Sequence, residues 1–320
     1  MAYQLGTFRT GTGERFAGVM VDEQVWPLSA LDLPATTVEG VLGDWSRTSA
    51  ILDGALGDGA DGLAAAGSVP LSSLTPTAPF IPNQIFQSGA NYRTHVIELN
   101  VAAAKEKGET DLDQVRSDTA DSMDERARTG TPYVFIGLPS AVCGPQDDVV
   151  LPPTGTKHDW ELELGVVIGA DAYLIPRDRA MDCVAGYVIV NDLSTRDRIF
   201  RPDMPSLGTD WLAGKNAPTF LPLGPWFTPA QFVPDPMKLQ IRLALNGKVM
   251  QDATTSDMIF DIPRLIEHVS AITPLRPGDL LLTGSPAGNG AHYGRYLQAG
   301  DVMESTITGL GTQRNRCVVR

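Results

Sequence analysis

The feature that most constrains the fold is a series of short, β-type apolar runs separated by glycine and proline. Each run has the length of a single strand. They occupy residues 85–88, 133–136, 149–151, 161–168, 186–191, 238–246, 279–283, 301–308 and 315–319. Short strands at such spacing are typical of rolls and barrels, whereas a regular βαβ array alternates longer strands with helices. The pattern therefore predicts an α+β, β-rich fold organised as a roll or barrel.

The chain divides into two predicted parts. Residues 1–78 alternate short apolar runs with turns, include one helical stretch near 37–56 and continue into a Gly/Ala/Asp-rich segment at 54–67. This combination predicts a small N-terminal α/β module. Residues 79–320 contain the β-type runs and form the predicted main domain, in which 261–272 has the apolar spacing of a helix.

One stretch of the main domain differs in composition from its surroundings. Residues 99–131 are rich in charged residues and helix formers and contain few β-branched residues. We predict a mostly helical insertion. Two interpretations stay open, a solvated surface insertion and a lid over a functional site.

Composition and charge exclude several classes of protein. The net charge of −13 argues against binding to nucleic acid or to an anionic membrane surface. No apolar run reaches the roughly 18 residues of a membrane span, and the N-terminus lacks a signal-peptide pattern. Three cysteines without CxxC spacing indicate neither a disulfide framework nor a zinc site. We expect a cytoplasmic protein without nucleic-acid or membrane partners.

Two acidic residues stand inside an otherwise apolar strand. Glu161 and Glu163 are two positions apart, so a strand projects both carboxylates from one face. Asp192 ends another apolar run. Buried together, the three carboxylates require a cation, and a hard divalent ion is the natural candidate. The alternatives are an exposed edge-strand face for the glutamates and a turn or helix N-cap role for Asp192.

A histidine and a glutamate form the second candidate group. His95 and Glu98 are three residues apart, so a helix would place them on the same side. A carboxylate beside an imidazole fixes its tautomer and raises its basicity, which suits a general base. The alternative is an ordinary pair on a helix surface.

Two glycine-containing loops add further candidates. Lys215 follows Gly214, so a ligand can approach the backbone while the ammonium stabilises a negative charge; an ordinary loop is the alternative. Ser285 lies in a Gly-rich turn suited to an anionic ligand. Pro286 follows it and lacks the N–H that an oxyanion hole would use, so a serine hydrolase is disfavoured.

Taken together, these motifs resemble the fumarylacetoacetate hydrolase family. The likeness runs from about residue 80 to the C-terminus, and the matching pieces occur in the family's order. They are residues 89–98, 159–169, 186–197, 214–215, 223–226, 246–252, 255–260, 277–288 and 309–315. The resemblance implies a mixed β-sheet roll and a Mg²⁺ or Mn²⁺ site, with Ca²⁺ as a further possibility. It also implies a small keto-acid substrate and a homodimer.

The resemblance assigns roles residue by residue. The implied metal ligands are Glu161, Glu163 and Asp192; the implied catalytic residues are His95, Glu98 and Lys215; the implied substrate contacts are Tyr92, Arg198 and Ser285. The implied function is metal-dependent hydrolysis of a C–C bond in a 2,4-dioxo (acylpyruvate-like) or other β-diketo acid. The alternatives are decarboxylation or isomerisation of a related dioxo acid, and a non-catalytic, metal-stabilised scaffold.

The chain also departs from the family pattern. Gly137 stands where the family usually has a lysine, and Ile199 stands near the position of a usual glutamine. Arg198, with Arg201, is a candidate replacement contact for a substrate carboxylate, although surface arginines are the alternative. These departures leave the identity of the substrate open.

Overall fold

The computed structural model describes residues 2–56 and 67–319. Its strands are β1 Gln4–Arg9, β2 Arg15–Val21, β3 Gln24–Pro27, β4 Val69–Pro70, β5 Thr75–Pro76, β6 Ile85–Gly89, β7 Tyr133–Gly137, β8 Val142–Cys143, β9 Val149–Val150, β10 His158–Asp159, β11 Leu162–Ile168, β12 Val184–Asn191, β13 Ser194–Thr195, β14 Leu221–Pro222, β15 Thr228–Pro229, β16 Gln240–Leu245, β17 Lys248–Thr254, β18 Leu280–Leu282, β19 Val302–Ile307 and β20 Gly311–Val318. Its α-helices are α1 Val38–Gly43, α2 Trp45–Leu56, α3 Arg93–Glu106, α4 Leu112–Thr129, α5 Trp211–Lys215, α6 Ile262–Ser270 and α7 Gly290–Tyr293. Among these described helices, none is both long enough and apolar enough to cross a bilayer.

A mixed sheet of six strands carries the site. Its order is β15-β12-β11-β18-β6-β7, and the neighbours are antiparallel except for the parallel pair β18 and β6. A second sheet has the order β17-β16-β19-β20-β9. Every β-type run predicted from the sequence overlaps one of these strands, and the predicted mixed, strand-rich fold is confirmed.

The two faces of β11 are buried against different layers. Leu162, Leu164 and Val166 belong to a core shared with Ile241 and Leu243 of β16, in the five-stranded sheet. Burial on both faces explains why this strand reads as a nearly continuous apolar run.

The opposite face of the six-stranded sheet packs on the N-terminal module. Val167 of β11 and Leu280 of β18 share a core with Leu5 and Val19 from the first strands of the chain. Because side chains alternate along a strand, Glu163 projects from the same face as Val167. The acidic residues therefore stand at the end of an apolar face.

The N-terminal module differs from the prediction in one respect. Its sheet has the order β4-β3-β2-β1-β5 and ends at Pro76, close to the predicted boundary at residue 78. The single helix predicted near 37–56 is two helices, α1 and α2, which are interrupted at Asp44 by a non-helical backbone. The predicted Gly/Ala/Asp-rich segment falls largely on residues 57–66, which lie outside the described residues.

The insertion at 99–131 is helical, as predicted. It comprises most of α3 and all of α4, which pack against each other. Arg93 of α3 binds Asp124 of α4 through two hydrogen bonds of 2.7 and 2.9 Å. His95 lies in the first turn of α3, so the insertion continues directly from the helix that carries this side chain. Its role as a lid stays a prediction.

Candidate active site

Three buried carboxylates converge at one end of the central strands. Glu161 immediately precedes β11, Glu163 lies within it, and Asp192 immediately follows β12. One oxygen from each lies within 4.8 Å of the others. The register brings them together, because Leu162 pairs with Asn191 and the Asp192 N–H donates to the Glu161 carbonyl at 2.8 Å. The predicted acidic cluster is thus assembled by two neighbouring strands.

Lys215 lies among these acids. Its Nζ donates to Glu161 Oε2 at 2.7 Å, to Asp192 Oδ2 at 2.6 Å and to the Asp192 carbonyl at 2.9 Å. Burial by itself lowers the pKa of Lys215, but the carboxylates outweigh burial and hold that pKa above its ordinary value. The lysine therefore stays charged and acts as a counter-ion for the acids.

Arg196 is a second cation that contacts Glu161. Arg196 forms an ion pair with Glu161 and donates from Nε to Asp159 Oδ2 at 2.9 Å. Asp159 also accepts from the backbone N–H of Gly290 at 2.5 Å and of Ala291 at 3.1 Å. Asp159 therefore links the first turn of α7 to Arg196, and through it to the acidic cluster.

The three acids differ in protonation. Burial by itself raises the pKa of Glu161, but Arg196 and Lys215 outweigh it and hold that pKa at about 2. Burial raises the pKa of Asp192 to about 6, although Lys215 opposes the shift. Burial and the neighbouring Asp192 charge raise the pKa of Glu163 well above its ordinary value. Without a bound ion, Glu163 therefore holds a proton more readily than Glu161 does, and Lys215 and Arg196 are the counter-ions of Glu161 and Asp192.

The donor set fits a hard divalent cation. Carboxylate oxygens are the ligands that Mg²⁺, Mn²⁺ and Ca²⁺ prefer, and Mg²⁺ sites commonly combine a few carboxylates with water and substrate oxygens. Glu163 has no cationic hydrogen-bond partner among the described residues; its Oε2 accepts only from the Gly284 N–H, at 2.7 Å. The residues that would hold the ion are Glu161, Glu163 and Asp192.

A cavity of about 390 Å³ is lined by two of the acids, Glu161 and Asp192. This volume is in the range of small-molecule sites. Its polar or charged lining residues are Ser88, His95, Glu161, Asp192, Arg196, Lys215 and Ser285. Its remaining lining residues are Gly89, Ala90, Leu99, Phe135, Ile199, Phe200, Trp211 and Ala291. Leu99 comes from the insertion, so α3 supplies both His95 and an apolar residue to the cavity wall.

His95 faces this cavity from α3. It is buried, and its ring nitrogens lie 3.4 and 3.5 Å from Asn289 Nδ2. Burial lowers its pKa to about 4, although the charge of Glu161 opposes the shift. The imidazole is therefore neutral near pH 7 and able to accept a proton.

The predicted contact between His95 and Glu98 is wrong in this structure. Each side chain instead meets a residue near the start of α7. His95 faces Asn289, whereas Glu98 Oε2 lies 3.3 Å from His292 Nδ1, without the alignment of a hydrogen bond. Residues three apart on a helix diverge by about 60° around its axis. Asn289 and His292 are also three residues apart. Asn289 therefore lies against His95, while His292 lies against Glu98.

The predicted substrate contacts lie in three different environments. Ser285 lines the cavity, and its Oγ accepts from Gln251 at 2.9 Å. Tyr92 is fully buried outside the cavity lining; burial and the nearby Glu163 raise the pKa of its hydroxyl well above the ordinary value. Arg198 is exposed and lines a separate surface cleft. Of the three, only Ser285 is among the side chains that line the cavity.

Several residues near the acids had no role predicted from the sequence. They are Gln87, whose Nε2 donates to Asp192 Oδ1 at 2.5 Å, together with Asp159, Arg196 and Asn289. Asp159 continues the two-residue alternation of the glutamates, which was an available signal. Gln87 lies 105 positions before Asp192 in the chain, and no local pattern connects them.

Comparison with known proteins agrees with this geometry. A model of the fumarylacetoacetate hydrolase C-terminal domain matches residues 84–318. This match covers most of the chain, including every residue of the acidic cluster. The chain belongs to the fumarylacetoacetate hydrolase family.

Relatives within the family have different activities. A 2,4-didehydro-3-deoxy-L-rhamnonate hydrolase of Sphingomonas sp. (strain SKA58) is 40% identical over 236 residues, 73% of this chain and 72% of the relative. A mitochondrial oxaloacetate tautomerase of Bos taurus is 36% identical over 253 residues, 78% of this chain and 71% of the relative. The family relationship thus indicates an enzyme among hydrolases and isomerases.

A solved structure extends the comparison to the whole chain. Maleylpyruvate hydrolase from Sphingobium sp. SYK-6, crystallised with manganese(II) and pyruvate, aligns with a TM-score of 0.72 and 26% identity. The alignment covers 100% of this chain and 99% of the other. The N-terminal module is therefore included in the structural similarity.

The two departures from the family pattern have structural consequences. A Cβ atom on Gly137 would lie 2.8 Å from Gln87 Oε1, so Gln87 occupies the space that a side chain at residue 137 would need. Ile199 is buried and lines the cavity. Relative to the implied family pattern, glycine at residue 137 removes a positive charge, and Ile199 replaces a polar side chain by an apolar one.

Proposed function

We propose that the protein is a divalent-metal-dependent hydrolase that cleaves a C–C bond in a 2,4-dioxo, acylpyruvate-like acid. The observation that carries this proposal is the cluster of three buried carboxylates, two of which, Glu161 and Asp192, line the same cavity as His95. A binding protein would need the acids but not a neutral histidine facing the same space. The hydrolase relatives and the manganese–pyruvate complex of the maleylpyruvate hydrolase support the same class of substrate.

The acids hold the ion, which we infer to be Mg²⁺ or Mn²⁺. When bound, it polarises the carbonyl oxygens of a chelating keto acid and stabilises negative charge on them. Arg196 and Asp159 keep Glu161 in position, and the Gly284 N–H orients Glu163. Lys215 contributes a fixed positive charge inside the cavity.

His95 transfers a proton, and Lys215 and Arg196 stabilise charge. His95 takes a proton from water, and the resulting hydroxide adds to the remote carbonyl carbon. The C–C bond breaks, and the carbon that becomes the methyl group of pyruvate takes up a proton. Lys215 and Arg196 stabilise negative charge that develops during cleavage. The products are pyruvate and a carboxylic acid, which together account for the substrate and one water.

The test is turnover of a short acylpyruvate with Mg²⁺, with Mn²⁺ and with EDTA. Loss of the enol absorbance is followed while pyruvate and the carboxylic acid are quantified. We expect both products in equal amounts with either metal and no turnover with EDTA, because the ion is the group proposed to polarise the keto-acid carbonyls.

Other products would identify other reactions of the family. Release of CO₂ would indicate decarboxylation, and decay of the enol without cleavage would indicate tautomerisation or isomerisation. Unchanged turnover in EDTA would contradict metal dependence.

Substitution of Glu163 by glutamine tests the ion site separately from catalysis. The variant keeps the size of the side chain and an acceptor for the Gly284 N–H, but it loses a ligand charge. We expect affinity for Mn²⁺ to fall by roughly 10–100-fold or more, measured by isothermal titration calorimetry. Glu304→Gln is the matched control, since Glu304 is exposed on β19. Equal Mn²⁺ affinity in the two variants would remove Glu163 from the ligand set.

A further inference from the structure

We infer that the substrate carries an uncharged, largely apolar tail in place of a second carboxylate. This inference rests on the proposed function and specifies its substrate class. It is drawn from the unequal distribution of charge along the cavity wall. Lys215 and Arg196 contact the acids, whereas Leu99, Phe135, Ile199, Phe200 and Trp211 form a wall without charged groups.

The apolar part of the wall is built from several elements. Phe135 of β7 and Trp211 of α5 stack with their ring centroids 4.1 Å apart and their planes within 11°. Ile199 and Phe200 come from the segment after Arg196, and Leu99 comes from α3. An uncharged chain packed here gains the free energy of apolar burial, about 25 cal/mol per Å².

Both cations of the cavity lie at its acidic end. Lys215 binds Glu161 and Asp192, and Arg196 binds Glu161 and Asp159. The described lining residues include no further lysine or arginine. A second substrate carboxylate would therefore lose its hydration without gaining a counter-ion, which is unfavourable.

The nearest other cations lie outside this cavity. Arg198 and Arg201 line an adjoining surface cleft that shares Phe200 with the cavity. Arg201 already forms two hydrogen bonds to Asp203, of 3.1 and 2.6 Å. Phe200 therefore separates the apolar wall from the arginines, and its side chain is 69% exposed at the rim.

The experiment compares two 2,4-dioxo acids of equal chain length, one ending in a methyl group and one in a carboxylate. We expect kcat/KM to favour the methyl-terminated compound by at least roughly tenfold, given the sensitivity of apolar pockets to such changes. An equal or higher kcat/KM for the diacid would overturn the inference while leaving the proposed function intact. Absence of turnover with both compounds, with metal present, would instead count against the proposed function.

A substitution in the apolar wall tests whether this wall determines the preference for the methyl-terminated acid. Phe200→Arg is expected to raise the kcat/KM of the diacid relative to the monoacid by roughly fivefold, and added salt should reduce the change. Leu207→Arg is the matched control because Leu207 is 70% exposed and lies outside the cavity lining. Thermal melting and sedimentation are used to check that both variants keep the fold and the oligomeric state of the wild type. If the ratio of kcat/KM for the diacid to kcat/KM for the monoacid is the same in both variants, Phe200 does not determine the preference for an uncharged tail.

Discussion

Replacement of Lys215 by methionine is expected to lower the free energy of unfolding of the metal-free protein by about 3–5 kcal/mol. The ammonium is the cation that contacts both Glu161 and Asp192, and its loss leaves buried carboxylates unpaired. The measurement is chemical denaturation in EDTA. Added Mn²⁺ should restore more stability to the variant than to the wild type, because the ion replaces the missing charge.

The pH dependence of this loss has a definite sign. Without Lys215, the folded-state pKa values of Asp192 and Glu163 rise further above those of the unfolded chain. The folded variant then holds protons that the unfolded chain releases, so its stability falls as pH rises above the ordinary carboxyl range. The deficit relative to wild type should therefore shrink in acid and grow in mild alkali.

The matched control is Lys238→Met. Lys238 is exposed and pairs with Asp235 at the surface, so we expect a far smaller change than for Lys215. A Lys215 variant as stable as this control, with no added benefit from Mn²⁺, would contradict the assignment of Lys215 as the counter-ion of the acidic cluster.

Replacement of His95 by alanine is expected to reduce kcat by about 10²–10⁴-fold while Mn²⁺ affinity stays within a few-fold of wild type. His95 faces the cavity, is neutral near pH 7 and lies outside the acidic ligand set. Steady-state kinetics and calorimetric titration with Mn²⁺ provide the two readouts.

His268→Ala serves as the control for this experiment. His268 lies on α6 and is not among the residues that line the cavity. Nearly unchanged kcat in the His95 variant would remove this residue from the mechanism. Loss of Mn²⁺ binding along with activity would indicate instead that His95 supports the ion site.

Much of the acidic cluster was predictable from local sequence. Glu161 and Glu163 alternate with Leu162 and Leu164, and this period of two places both acids on one face of any strand. The apolar neighbours also indicated burial on both faces. Asp192 was predictable because it ends the next apolar run of the same sheet.

The histidine pair shows where local reasoning was insufficient. The spacing of His95 and Glu98 was consistent with a contact along one helix. In the structure Asn289 and His292 meet these two side chains, and both come from a segment almost two hundred positions away. The loop before α7 determines which side chains contact α3. The pattern of residues 91–98 does not predict that contact.

The sequence by itself determined many of the main domain's longer strands, although not β17, and the strand face that carries Glu161 and Glu163. Both depend on the pattern of a few neighbouring residues. Only the tertiary structure decided what neutralises and surrounds those acids. Lys215, Arg196, Gln87 and Asn289 reach the site because separate segments pack on the same sheet. Hydrogen bonds and ion pairs require distances near 3 Å, and such distances between remote segments depend on packing that no local pattern specifies.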